Sequence, residues 1–212
     1  MKTYRQYGYG QHIGILDCRW ASRFLGDYRY EDSDVGTKTY ISREGGVEVV
    51  VKELATRMVS RGHEVVCFDR KTKHVSGATL DTQIDTKGVK VVPVWSIDRK
   101  GLAALTSSIS AAWKASRSKA DVVHIHAEGP AAMAWLPKLF HKKVVVTVHG
   151  LDWQRTEKWG WLGQRYIRFG EKVAVKFADE IIVLSRGLQD YFRNEHGRET
   201  VFIPNGVSKA RD

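Results

Sequence analysis

Cysteine is scarce in this sequence: 212 residues carry two, Cys18 and Cys67. Both sit in apolar, strand-like runs, which excludes a disulfide framework and reads as small buried hydrophobes in a reducing compartment. Missing too is any run approaching the roughly 20 apolar residues that cross a bilayer. The start, Met1 to Gln11, is polar and aromatic, with no apolar signal core. These absences point to the cytoplasm. Two nucleotide fingerprints are also absent. No G-x-x-x-x-G-K-[ST] occurs, which argues against P-loop ATP hydrolysis, and no G-x-G-x-x-G follows the first expected strand; Gly8 and Gly10 precede it. Asp69 ends the second strand where a ribose-binding acid would stand, but without those glycines the dinucleotide reading fails. There is no internal repeat and no low-complexity tract.

Acidic residues are outnumbered, 24 against 34 Lys and Arg, for a formal charge of +10. The excess calls for an anionic neighbour: nucleic acid, an anionic membrane surface or a phosphorylated ligand. The basic residues are dispersed and no nucleic-acid readout motif is present, so nucleic acid is disfavoured. Several of the seven tryptophans stand beside basic residues, as in Arg19-Trp20 and Lys158-Trp159. That suits a membrane interface, sugar stacking or the rim of a core.

Hydrophobic residues make up 42% of the chain, enough for one large core. Short Val/Ile runs alternate with amphipathic stretches, the pattern of an α/β Rossmann-like parallel sheet with helices on both faces. Strands are expected at 13–17, 64–69, 89–94, 122–126, 144–149, 180–184 and 200–203. Helices are expected at 46–60, 102–119, 130–140, 162–178 and 186–195. In the first, Val47, Val50, Val51, Leu54, Met58 and Val59 recur at helical spacing despite their β-branched composition. In the fourth, Tyr166, Phe169, Val173 and Phe177 form an apolar stripe beside a basic one of Arg165, Arg168, Lys172 and Lys176. That basic stripe is either a solvated face or a contact with an anionic membrane. The segment 19–44, rich in Tyr, Asp, Arg and Ser, is too long for an ordinary connection.

Gly45 and Gly46 lie between the first strand and its helix, where backbone amides at a helix N-terminus favour an anion. A flexible hinge is the plainer reading. His126 and His149 close two consecutive strands and reach the carboxyl edge of the sheet, where either could donate to a hydroxyl or phosphate oxygen. His124, on the same strand face as His126, reads as a satisfied core residue. Three imidazoles could bind zinc, but no acid or cysteine of metal-site spacing joins them. After His149 come Gly150, Asp152, Trp153 and Arg155, an opening glycine followed by a polar and aromatic rim; Asp152 and Arg155 could equally form a surface ion pair.

Taken together, Gly45-Gly46-Val47-Glu48, Arg61-Gly62-His63-Glu64-Val65, Asp121-Val122-Val123-His124-Ile125-His126, Thr147-Val148-His149-Gly150-Leu151-Asp152-Trp153-Gln154-Arg155, Leu184-Ser185 and Ile203-Pro204-Asn205-Gly206-Val207 resemble the N-terminal domain of family 4 glycosyltransferases. The His149-to-Arg155 turn is most similar to bacterial members that build cell-surface polysaccharides, including rhamnosyltransferase-like ones. The resemblance implies the N-terminal half of a GT-B fold, with the acceptor side at 13–207, a flexible segment at 1–12 and an insertion at 19–44. A hinge would start at 208–212, and a C-terminal donor domain would lie beyond this chain. It implies retaining sugar transfer from a nucleotide-sugar to a glycan or polyprenyl-phosphate-linked acceptor, with no cofactor and no essential metal. Gly45 and Gly46 would bring amides to the donor diphosphate. His149 would serve catalysis, and His126, Gly150, Asp152 and Arg155 would bind substrate. Glu48 would hold the loop-helix junction. Such a protein would sit in the cytoplasm, with the inner face of the membrane as its natural station. A non-catalytic module that binds a glycan or lipid phosphate through the same edge is the rival expectation.

Overall fold

The computed structural model describes residues 46–70, 83–84, 87–97, 99, 102–154 and 160–206. The strand expected at 13–17, the insertion at 19–44, Cys18, Gly45, Arg155 and the segment 207–212 lie outside the described residues.

Helix α1 spans Gly46–Val59 and buries Glu48, Val51 and Ala55, spaced three and four apart. Tertiary burial of one stripe outweighs the weak helix propensity of its valines. Gly62 ends the turn behind it at φ 87°, a conformation that suits glycine. Strand β1 (Val66–Arg70) follows, then β2 (Gln83–Ile84) and β3 (Lys90–Val94). β3 runs parallel to β1 in the register Val66 to Lys90, and β2 adds antiparallel to β3. Helix α2 (Leu102–Ser116) turns small residues inward, among them Ala111, Ala112 and Ala115.

The second sheet is all parallel, ordered β4-β5-β6-β7: β4 (Val122–His126), β5 (Lys143–Val148), β6 (Glu180–Val183) and β7 (Val201–Phe202). Between them lie α3 (Glu128–Ala131), α4 (Trp135–Leu139), a short 3-10 turn at Asp152–Gln154, α5 (Trp161–Phe177) and α6 (Arg186–His196). One apolar cluster unites both sheets. Phe68 and Val94 of the first pack with Val123, Ile125 and Val146 of the second and with Val173 and Phe192 of the helices. On the other face, α1 covers Val65, Cys67, Val89 and Val91, while its Met58 reaches Val122, Val145 and Ile182. Helices therefore cover both faces, as the near-continuous apolar strands require.

Three departures from expectation bear on the site. The helix expected over 130–140 is two short ones, because Pro137 has no N–H to continue the ladder and the turn between them closes with tight bonds such as Ala134 N to Ala131 O. β5 ends at Val148, leaving His149 one residue beyond the ladder. On α5, Phe169 departs from the expected apolar stripe. It is 54% exposed, and Ile167, Gly170, Val173 and Ala174 face inward instead.

Candidate functional site

Strand alternation decides which side chains meet at the sheet edge. Val123 and Ile125 enter the main core, so His124 and His126 turn to the face that α1 covers, together with Thr147 and His149 of the neighbouring strand. His124 Nε2 lies 2.7 Å from Thr147 Oγ1. His126 Nδ1 lies 3.2 Å from His149 Nε2. The rings form a ladder, with centroids 4.1 Å apart for His124 and His126 and 5.5 Å for His126 and His149.

Burial governs the charge of this ladder. It holds His124 down to about 3, with His149 adding to the effect. Burial, then the neighbouring His124 and His149, hold His126 well below its usual range. His149 is lowered by burial too, opposed by the acidic Asp152 and Glu48. All three rings are thus neutral at pH 7, and the 3.2 Å contact needs one donor and one acceptor. His126 Nε2 is buried without a partner among the described residues. An unpaired N–H there would cost more than an unused lone pair. His126 is therefore best protonated on Nδ1, donating to His149 Nε2, which leaves the His149 proton on Nδ1.

The α1 end joins the same edge. Gly46 is its first residue, exposed, with no atom within 4 Å of where a Cβ would be. Two residues on, Glu48 is buried and acts electrostatically on both His149 and Arg70. Arg70, the last residue of β1, donates from Nε to Ser107 Oγ at 3.1 Å. Its burial lowers its pKa, an effect that Glu48 opposes.

Behind the histidines the backbone is strained. Ala127 sits at φ 79° and ψ 157°, a region that belongs almost wholly to glycine. Its N–H still donates to Thr147 O at 2.9 Å, which extends the ladder past β4. This aims Glu128 inward. Glu128 Oε2 accepts the backbone N–H of Asp152 at 2.9 Å, tying α3 to the turn after β5. Burial pushes the Glu128 carboxyl up to about 9, opposed by the Asp152 N–H it accepts and reinforced by the nearby Glu171, so it is a neutral acid at pH 7; its Oε1 is buried with no partner among the described residues. Glu171 in turn accepts from Trp153 Nε1 at 3.2 Å, Tyr191 Oη at 2.9 Å and His196 Nε2 at 2.8 Å. Arg168 lies over the Trp153 ring at 4.4 Å. The close approach of α3 and α5 depends on Gly170, whose Cβ, if present, would lie 1.9 Å from Glu128 O.

Of the residues singled out by sequence, His126, His149, Gly150, Asp152 and Glu48 gather at one edge with Gly46 beside them. Gly45 and Arg155 lie outside the described residues. His124 is buried and hydrogen-bonded, as expected of a core histidine. Sequence reasoning missed Glu128, Glu171 and Arg70. An acid two residues after a strand-ending histidine was a signal for Glu128. Glu171 carried no local signal of its own. Among the described residues, no three His, Cys, Asp or Glu side chains are grouped to hold a metal ion.

Solved structures with the same fold include a sucrose-phosphate synthase from Thermosynechococcus elongatus, with a TM-score of 0.67, 18% identity and 85% of this chain matched to 49% of that one. HepE from Anabaena, solved with UDP and glucose, has a TM-score of 0.58 and 17% identity over 85% of this chain and 45% of that one. The chain thus spans about half the length of these structures. No curated protein matches the sequence. The model of Glycosyltransferase Family 4 matches residues 44–211, most of the chain. This match covers far more than half of the chain, and the Rossmann-like architecture with helices on both faces agrees with it: the chain belongs to glycosyltransferase family 4.

Proposed function

We propose that this chain is the acceptor-side domain of a retaining hexosyltransferase that moves a sugar from a nucleotide-sugar to a glycan or lipid-linked acceptor. Bacterial cell-surface polysaccharide, of rhamnosyltransferase-like type, is the product class. The observation that carries the reading is the neutral His126–His149 pair sharing an edge with the first turn of α1. A neutral imidazole with its proton on Nδ1 donates to a sugar hydroxyl without carrying charge that would bind the diphosphate too tightly. The amide of Gly46, at the N-terminus of α1, suits an anionic leaving group, and the preceding Gly45 is assigned to the same anion. The complex of HepE with UDP and glucose supports a nucleotide-sugar as the donor class.

In the reaction, the acceptor oxygen bonds to the anomeric carbon as that carbon's bond to the diphosphate breaks, on the same face, and the acceptor hydroxyl's proton passes to the departing diphosphate oxygen. His149 orients the reacting hydroxyls, His126 fixes the His149 tautomer, and Gly150 keeps the backbone open beside them. Asp152 and Arg155 form the acceptor rim, and Glu48 with Arg70 sets the charge at the α1 end. The leaving diphosphate is balanced by amide and cationic donors, with no metal or cofactor. A second domain supplies most of the donor site.

Titration with UDP-glucose and with lipid-linked glycan fragments, followed by amide and imidazole NMR shifts, tests this. Shifts clustered at Gly45, Gly46, His126 and His149 are expected. Shifts confined to α5 would overturn the site. Turnover of a nucleotide-sugar by the purified 212-residue chain would refute the need for a second domain. A non-catalytic glycan-binding module would show acceptor-induced shifts but no response to UDP-glucose, and no turnover when joined to a donor domain.

A further inference from the structure

Helix α5 presents an outward face unlike an ordinary solvated one. Three large apolar side chains lie on it: Trp161 is 67% exposed, Leu162 71% and Phe169 54%. Leu162 and Phe169, seven apart, share one side, and Trp161 lies about a quarter turn away, on the same line as Arg165, Arg168 and Lys172, while Ile167, Gly170 and Ala174 turn inward. A single exposed leucine is ordinary; three bulky groups on one exposed arc beside four cations are not. Arg165, Arg168, Lys172 and Lys176 are interleaved with them and also exposed. No acidic residue lies on the exposed side, because the one acid of α5, Glu171, is buried. Arg165 lies 5.5 Å above the Trp161 ring, so cation and indole present as a unit.

An interfacial helix needs this mixture: Trp, Leu and Phe to enter the headgroup boundary and Lys or Arg to meet lipid phosphates. The same helix does not cross the membrane, since no helix among the described residues is long and apolar enough. We propose that the outer face of α5 docks on an anionic lipid surface. The turn Asp152–Gln154 is bound to this helix through Trp153, by its bond to Glu171 and its stacking under Arg168. Docking would hold the histidine edge beside the headgroups, where a lipid-linked acceptor is presented. The inference stands on α5 and does not rest on the transferase reading.

Co-sedimentation of the 212-residue chain with phosphatidylglycerol–phosphatidylcholine vesicles, against pure phosphatidylcholine, is the test. Binding is expected to the anionic vesicles alone and to weaken with salt. Each of Arg165→Gln, Arg168→Gln, Lys172→Gln and Lys176→Gln should lower partitioning roughly fivefold at low salt, as about 1 kcal/mol per basic residue implies. Trp161→Ser with Leu162→Ser should lower it tenfold or more with the charge intact. All these sites are exposed, and unchanged circular dichroism and thermal unfolding will verify folding. Equal binding by the four-fold Gln variant, binding indifferent to the Trp161 and Leu162 changes, or no partition into any vesicle overturns the proposal. So does equally tight binding of a DNA duplex with the same residue dependence. Vesicle binding and the NMR response to UDP-glucose are separate readouts, so either proposal can fail without the other.

Discussion

Glu128 Oε2 stands 2.9 Å from the backbone nitrogen of Asp152, so an acid side chain from one strand end holds the main chain beyond the next. The N–H that donates belongs to a proposed rim residue; the carboxyl oxygen that accepts it belongs to a buried side chain. The shape of the mouth thus depends on a group that substrate does not touch.

If Glu128 is a neutral acid, Glu128→Gln should be tolerated, because the amide keeps an acceptor for Asp152 and is likewise uncharged. We expect a stability change under about 1 kcal/mol for Gln, and a loss of about 2–4 kcal/mol for Glu128→Ala, which strands a buried amide and opens a void. Denaturant unfolding checks this; equal losses would refute the neutral acid. The pH dependence carries a sign. The folded carboxyl titrates near about 9 against about 4.5 when unfolded, so the folded state holds the extra proton between these values. Stability from this group therefore falls as pH rises through that window, and Glu128→Gln should flatten the slope.

On the acid side the histidines act in the opposite sense. His124 titrates near about 3 when folded and His126 is held well below its ordinary 6.5. Below pH 6.5 the unfolded chain binds protons that the folded chain refuses. Stability should fall as pH drops from about 6.5 toward 3, at up to about 1.4 kcal/mol per unit for each buried ring. Two rings outweigh Glu128 there. Melting curves at pH 7, 6, 5 and 4 measure it; a flat profile would mean that the ladder is charged or open.

Gly170→Ala should be among the most damaging single changes. The new methyl would meet the Glu128 carbonyl at 1.9 Å, and backbone has little room to yield. A loss of about 3 kcal/mol or more, with α3 forced from α5, is expected from overpacking. A thermal melt within a degree of the parent would contradict that close approach.

Ala127→Gly should stabilise. The alanine's φ of 79° with ψ of 157° costs about 1–3 kcal/mol, against about 0.5–1 kcal/mol for the added freedom of glycine when unfolded. A net gain of about 1 kcal/mol is expected from chemical unfolding. A loss would mean that the alanine methyl packs more than it strains.

The sequence made the frame legible where period and composition agreed. β4 was read at its observed bounds, Val122–His126, because five buried residues flanked by turn signals leave little choice. The valine-rich α1 was legible because its period outweighs its propensities. Strand parity brought His126 and His149 to one edge, and that edge is real. What stayed hidden depends on long-range contact. Nothing local marks Glu171 as buried, since its partners Tyr191 and His196 lie 20 and 25 residues on. Phe169 was misplaced because it fits a four-residue stripe as well as Val173 does; only the packing of Gly170 on α3 settles which side turns inward.

The Glu171 carboxyl has a mechanical consequence. It joins Trp153 of the turn to Tyr191 and His196 of α6, and α6 in turn grips the final strand through Gln189 Nε2 to Thr200 O at 2.9 Å. Arg186 at the start of α6 covers Phe202 at 4.3 Å. A tug on Trp153 is therefore passed, bond by bond, to β7. The mouth and the edge strand of the sheet form one lever with its fulcrum buried.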